Sequence, residues 1–293
     1  MKDFSKTIYE FLLWANCNNH CKFCHQRDFA GNGRLLSKQE KELSIKNALD
    51  YISSENFIRG SHVMMCGGEL FDDVSNELVI ELFKTLSTFM LNDVIDILYV
   101  NTNLLTKNVN DIIKSLYYID EVNKLDKVHF TTSYDLDGRF ATMMESRFRE
   151  NLTIIRNEFP NLPIITNMIM SKDFCEKVIS NSFSLQDFAI KFDTEINLLP
   201  YIQHGNDPLP EKEEVFKVLK IADSQFPGYI RRYVEQIKLN QKRHVFEYIS
   251  GKGFVDSTAD NNENCGHSIN FTKTFDDKSC FMCEILKKFD FTF

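Results

Sequence analysis

Ile8-Tyr-Glu-Phe-Leu-Leu-Trp14 leads, after Ala15 and Asn16, straight into Cys17-Asn-Asn-His-Cys21-Lys-Phe23-Cys24. The first run is apolar and aromatic, as a buried strand is. The second sets three thiols in the spacing C-x3-C-x2-C just beyond that strand. Thiolates so spaced can hold three irons of a [4Fe–4S] cluster and leave the fourth iron open to a small molecule. An iron without a protein ligand marks a reaction centre rather than a structural knot. Taken alone, the same run also fits a zinc site or scattered core thiols.

Working outward, apolar, β-branched and aromatic runs recur with helical segments between them. Candidate strands are Thr7–Ala15, His62–Cys66, Ile95–Asn101, Val128–Ser133, Ile164–Met170 and Glu195–Leu199. The first helix opens at Ser37 with Glu40 three residues on, a capping box. Its apolar face is Ile45, Ala48, Leu49 and Ile52. The next helix is expected from Asp72 or Asp73, and further ones over Lys107–Tyr118, Phe140–Glu158, Lys172–Phe183 and Glu211–Ser224. Strands alternating with helices make parallel βα units with right-handed crossovers. Such a series fans out doubly wound or curls into an incomplete barrel, and periodicity leaves both open.

A second motif, Val63-Met-Met-Cys66-Gly67-Gly68-Glu69, ends the second candidate strand. With Cys17, Cys21 and Cys24, and with aromatic Phe23 before the last cysteine, it makes the chain resemble the radical S-adenosylmethionine (SAM) enzymes. The resemblance spans roughly residues 7–202. It implies an α/β fold, a partial (β/α)6 barrel of TIM type, with cluster and SAM at the carboxyl ends of the strands, where parallel barrels carry their sites. It also implies that Cys17, Cys21 and Cys24 ligate the cluster. Gly67, Gly68 and Glu69 would meet the methionyl amine of SAM, with Glu69 accepting from the ammonium. Leu70 stands where the family often has proline.

Strand three ends in Asn101-Thr-Asn103 and strand four in Ser133-Tyr-Asp135. Both put short polar side chains at the sheet's carboxyl end. Ser133 and Asp135 resemble a family run that contacts the SAM ribose, and Asn101 and Asn103 are further candidates. Turn-forming and helix-capping roles compete for all four. Arg147 is a candidate partner for the methionyl carboxylate or a surface arginine. Cys66 precedes Gly67 and is open to a role in substrate chemistry or auxiliary ligation. Cys175 reads as a buried small hydrophobe and His129 as a core histidine.

Composition changes after Pro200. A loop from His204 to Pro210 is followed by two helical stretches, a polar segment from Gly251 to Asn264, and a tail with Cys265, His267, Cys280 and Cys283. The expected division is a barrel core over 1–203, a helical extension over 204–250 and a small metal-binding region over 251–293. The tail resembles the family's SPASM or Twitch extensions, which implies a second [4Fe–4S] cluster; zinc held by three thiolates and His267 is the alternative, and unligated thiols a third.

The chain has 293 residues, 43% of them hydrophobic, eight cysteines and a formal charge of −8. Cysteines clustered at short spacings suit metal binding in a reducing cytoplasm better than secreted disulfides. No stretch approaches the roughly 18 apolar residues of a membrane span. The net charge disfavours a nucleic-acid partner, although Arg231, Arg232, Lys238, Lys242, Arg243 and Lys252 form a basic run, read here as a solvated helix face. The leading expectation is a cytoplasmic oxidoreductase that generates a 5′-deoxyadenosyl radical and acts on a peptide or small molecule. A flavodoxin- or ferredoxin-type protein would supply the electron. A nucleotide- or tRNA-modifying enzyme is the runner-up, and a non-catalytic Fe–S or zinc redox sensor the alternative of another class.

Overall fold

The computed structural model describes residues 7–19, 21, 35–135, 142–200, 208–240, 243–249 and 253–256. Their order is β1 (Ile8–Leu12), α1 (Lys38–Ser53), β2 (Ser61–Cys66), α2 (Asn76–Leu91), β3 (Ile95–Asn101), α3 (Val109–Asp120), β4 (Val128–Ser133) and α4 (Thr142–Glu158). There follow β5 (Ile164–Met170), α5 (Lys172–Ile179), α6 (Leu185–Phe192), β6 (Glu195–Pro200), α7 (Lys212–Gln225), α8 (Tyr229–Asn240), β7 (Arg243–Ile249) and β8 (Gly253–Asp256). The expected capping box forms: the Ser37 hydroxyl accepts from the Glu40 N–H at 3.3 Å, and the Ser37 N–H donates to the Glu40 carboxylate at 2.9 Å.

The strands lie in one sheet in the order β6-β5-β4-β3-β2-β1-β7-β8. Every neighbouring pair is parallel except β7 with β8. From β1 to β6 the order never reverses. Right-handed crossovers repeated in one direction place successive helices on the same face, and α2 packs on α3 and α3 on α4. A doubly wound sheet needs a switch point where the order reverses, and none occurs between these strands. The α/β architecture is therefore compatible with an incomplete barrel.

One face of each strand builds the core. Phe11, Val63, Met65, Leu98, Val100, Phe130, Met168 and Leu198 are buried in a single cluster with Ala48, Leu82, Ile112 and Phe148 of the helices. Each such large side chain contributes about 1.5–3 kcal/mol through burial. The alternate positions are more polar: Glu10, Tyr99, Asn101, Ser133, Asn167 and Asn197 are half-buried. Asn197 donates its amide to Asn167 Oδ1 at 2.8 Å, so the two carboxamides share that face. On edge strand β6, the Leu198 N–H is capped by the Tyr229 hydroxyl of α8 at 2.8 Å.

Three elements differ from the sequence expectation. The helix expected at Asp72 or Asp73 begins at Asn76, because Asp72 Oδ1 accepts from the Val74 and Ser75 N–H groups in a preceding turn. The single helix expected over Lys172–Phe183 is α5 alone, ended by Asn181 in the left-handed conformation, φ +59°; α6 is a separate helix. Residues 243–249, expected within a basic helical stretch, form β7, which extends the sheet beyond β1. Alternating bulky residues in His244-Val-Phe-Glu-Tyr-Ile249 satisfy a strand, and β1 offers them a free edge.

Candidate metal and cofactor site at the ends of β1 and β2

Beyond the last ladder pair, Leu12 with Cys66, the continuations of β1 and β2 stay joined. The Leu13 N–H donates to Cys66 O at 2.9 Å, the Gly68 N–H to Trp14 O at 2.6 Å, and the Glu69 N–H to Asn16 O at 2.8 Å. The segment that leads into the first cysteine, Leu13 to Asn16, is thus zipped along Cys66 to Glu69. This contact is what demands the glycines: a Cβ on Gly67 would lie 2.4 Å from Trp14 O, and one on Gly68 2.1 Å from Asn16 O. The close approach is between two backbones of the same chain.

Asn16 also closes the cysteine loop. Its Oδ1 accepts from the Leu36 N–H at 2.9 Å, and its Nδ2 donates to Leu36 O at 3.3 Å. The entry and exit of the segment bearing Cys17, Cys21 and Cys24 are held together by one side chain. Around the sulfurs, the Asn19 N–H lies 3.4 Å from Cys17 Sγ, and Asn19 Nδ2 3.3 Å from Cys21 Sγ. Asn103 Nδ2 reaches Cys17 Sγ at 3.7 Å. Donors directed at sulfur favour the thiolate over the thiol. Cys17 and Cys21 therefore sit in surroundings suited to binding a metal or cluster.

Glu69 is 1% exposed, and its carboxylate is gripped from two strand ends. Oε1 accepts from the Thr102 hydroxyl at 2.6 Å and the Phe71 N–H at 3.0 Å, while Oε2 accepts from the Asn103 N–H at 2.5 Å. Its carbonyl accepts from Trp14 Nε1 at 2.7 Å. The next residue after Asn103, Leu104, is fully buried yet left-handed at φ +58°. Such a conformation costs a branched, bulky residue about 1–2 kcal/mol. Asn151 of α4 holds it, donating to Leu104 O and Thr106 O, both at 2.9 Å.

Behind Trp14, Lys41 of α1 is buried against Asp72 and donates to the Ser75 hydroxyl at 2.9 Å. Its ammonium lies 4.9 Å from the Trp14 ring centroid. The site is thus supported from α1, β2 and β3 together.

Of the other sequence candidates, Asn101 and Ser133 are half-buried at the ends of β3 and β4, and Asp135 is buried just beyond β4. Arg147 lies half-buried on α4. Its neighbour Arg149 is the one bound into a cluster, with Glu145 and, at 2.8 Å, the Tyr134 hydroxyl. The hydrogen bond from Tyr134 is the main cause that holds the Glu145 carboxyl below its ordinary range. Cys66 donates to Glu10 Oε1 at 3.1 Å on the alternate face. His129 is buried edge-on to Tyr99, their rings 4.9 Å apart. Of the basic run, Arg231 is exposed on α8 and pairs with Glu235. Phe23, Cys24, Cys265, His267, Cys280 and Cys283 lie outside the described residues. Among the described residues no group of three or more His, Cys, Asp or Glu side chains is arranged to hold a metal ion.

Sequence reasoning missed Asn16, Asn19, Lys41 and Thr102. Asn16 precedes the first cysteine and Asn19 lies between the first two, and short polar side chains beside a candidate ligand thiol are the signal that points to them. Lys41 gave none, since a lysine on an amphipathic helix reads as solvent-facing. No helix among the described residues is long and apolar enough to cross a membrane. A scan against protein-family models finds no match, and no curated protein matches the chain.

Proposed function

We propose that this chain is a radical SAM enzyme built on an incomplete (β/α)6 barrel and acting on a peptide substrate. One observation carries the reading. Trp14 and Asn16, which lead directly into the cysteine motif, are hydrogen-bonded to Gly68 and Glu69 of the separately recognised Gly67-Gly68-Glu69 at the carboxyl ends of adjacent parallel strands. Cys17, Cys21 and Cys24 would hold the [4Fe–4S] cluster, and the donors at the first two sulfurs fit that group. When bound, cluster and SAM supply one-electron cleavage of a sulfonium C–S bond and hydrogen abstraction from substrate.

The chain's own part is placement. Asn16 closes the cysteine loop on Leu36. The Gly68 and Glu69 N–H groups fix that loop's height against β2. Thr102 and Asn103 orient Glu69, because both donate to its side-chain oxygens. The half-buried carboxamides Asn101, Asn167 and Asn197 on the alternate face line the side on which substrate would lie. The peptide assignment rests on the cysteine-rich tail, whose Cys265, Cys280 and Cys283 would hold a second cluster.

Reduced, anaerobically reconstituted protein supplied with SAM is expected to release 5′-deoxyadenosine and methionine. Alanine at Cys17, Cys21 or Cys24 abolishes that release. Protein that carries iron yet yields no 5′-deoxyadenosine above the alanine variants contradicts the reading.

A further inference from the structure

Asn103 engages its backbone N–H and both ends of its carboxamide inside the site. Its N–H donates to Glu69 Oε2 at 2.5 Å, and its Oδ1 accepts from the Leu105 N–H at 2.8 Å. Nδ2 has two hydrogens and two acceptors, Asn18 Oδ1 at 2.8 Å and Cys17 Sγ at 3.7 Å. The residue is 4% exposed, so water does not compete for these bonds. The left-handed turn at Leu104, clasped by Asn151, sets the direction in which the carboxamide emerges. A buried leucine held in that conformation is a sign that the position of its neighbour matters. One side chain thus joins the end of β3 to the cysteine loop, and its backbone joins the same strand end to Gly67-Gly68-Glu69.

We propose that Asn103 is a positioning residue that sets the reduction potential of the cluster through the Cys17 sulfur. The proposal rests on the radical SAM reading. A cluster gains negative charge when it takes up an electron. An N–H aimed at a ligating sulfur stabilises that added charge, so it favours the reduced state. Asn103 makes uptake of an electron by the cluster easier without touching SAM or substrate. Aspartate at 103 replaces the NH2 group by an acceptor and sets a carboxylate against sulfur.

The test is a redox titration of the full chain, anaerobically reconstituted, followed by the paramagnetic signal of the reduced cluster. Asn103→Ala is expected to move the midpoint to more negative potential at unchanged iron content, and Asn103→Asp to move it further. Asn103→Ser gives a second small replacement if alanine proves unstable. Thr194→Val removes the buried hydrogen bonds of its hydroxyl to Thr166 and to Ile164 O at the amino end of β6 and leaves the donor to Cys17 in place, so its midpoint stays at the wild-type value. Midpoints of the Asn103 variants equal to wild type overturn the proposal, as does an equal shift in Thr194→Val, which marks a purely structural effect. A wild-type chain that takes up no iron overturns the parent reading as well, and iron analysis separates the two failures.

Discussion

Lys41 and Asp72 form an ion pair in which the two side chains are 2% and 6% exposed. Asp72 belongs to the turn after Gly67-Gly68-Glu69, and Lys41 to the first helix after the cysteine loop. The pair links the two walls of the site behind Trp14. Removing one partner strands the other charge in the interior, which costs about 3–5 kcal/mol. Lys41→Met is expected to lower unfolding free energy by that order in urea titrations. Lys41→Met with Asp72→Asn should recover a large part of the loss. A double variant as unstable as the sum of the singles would show that the two residues act separately.

Gly68 and Gly60 make a matched pair of tests. A Cβ at Gly68 collides with backbone atoms of Ala15 and Asn16, whereas one at Gly60 meets nothing within 4 Å. Gly68→Ala is expected to cost about 1–3 kcal/mol and to reduce iron uptake, since the cysteine stretch must move away. Gly60→Ala, at φ +74°, carries only the left-handed penalty of about 1–2 kcal/mol. Its iron uptake stays at the wild-type level. Equal iron uptake in both variants would contradict the zipped arrangement.

Cys175 supplies a pH prediction. It is fully buried on α5, and burial, with a smaller push from Glu214 and Glu176, raises its thiol from 9.0 to about 12. Between those values the folded protein keeps a proton that the unfolded chain has lost. This contribution is complete below about pH 9 and is lost as pH rises toward about 12. Cys175→Ala should therefore flatten the alkaline fall of the urea midpoint between about pH 9 and 12. In the folded wild-type protein, Cys175 should resist a thiol reagent until the chain unfolds.

The sheet was legible in the sequence because the segments from Val128 to Ser133 and from Ile164 to Met170 pair β-branched and aromatic composition with sharp polar boundaries. The start of α1 was legible because Ser37 and Glu40 sit three apart. The end of α5 was not, since Asn181 breaks it through a backbone angle. A signal for α6 was present: Ser184 caps the Asp187 N–H at 3.1 Å, the expected three-residue spacing. Strand β7 was hidden by Arg243 and by its position after two helices; only the free edge of β1 makes it a strand. At the site, Gly67-Gly68-Glu69 was found, but the partner that requires the glycines was not. Spacing names neighbours along the chain, and Trp14–Asn16 is a neighbour only in the fold. Asn103 was recognised as polar at a strand end, while its hold on Glu69 and Cys17 depends on the turn at Leu104.

The central claim is that the loop zipped to Gly67-Gly68-Glu69 holds a catalytic cluster, and iron, sulfide and zinc per chain after anaerobic reconstitution test it most directly. The account predicts about eight irons with matching sulfide and no zinc, one [4Fe–4S] cluster at Cys17, Cys21 and Cys24 and one in the tail. About four irons with one zinc would keep the catalytic cluster and make the tail a structural clasp. Zinc alone, without iron or sulfide, would contradict the account.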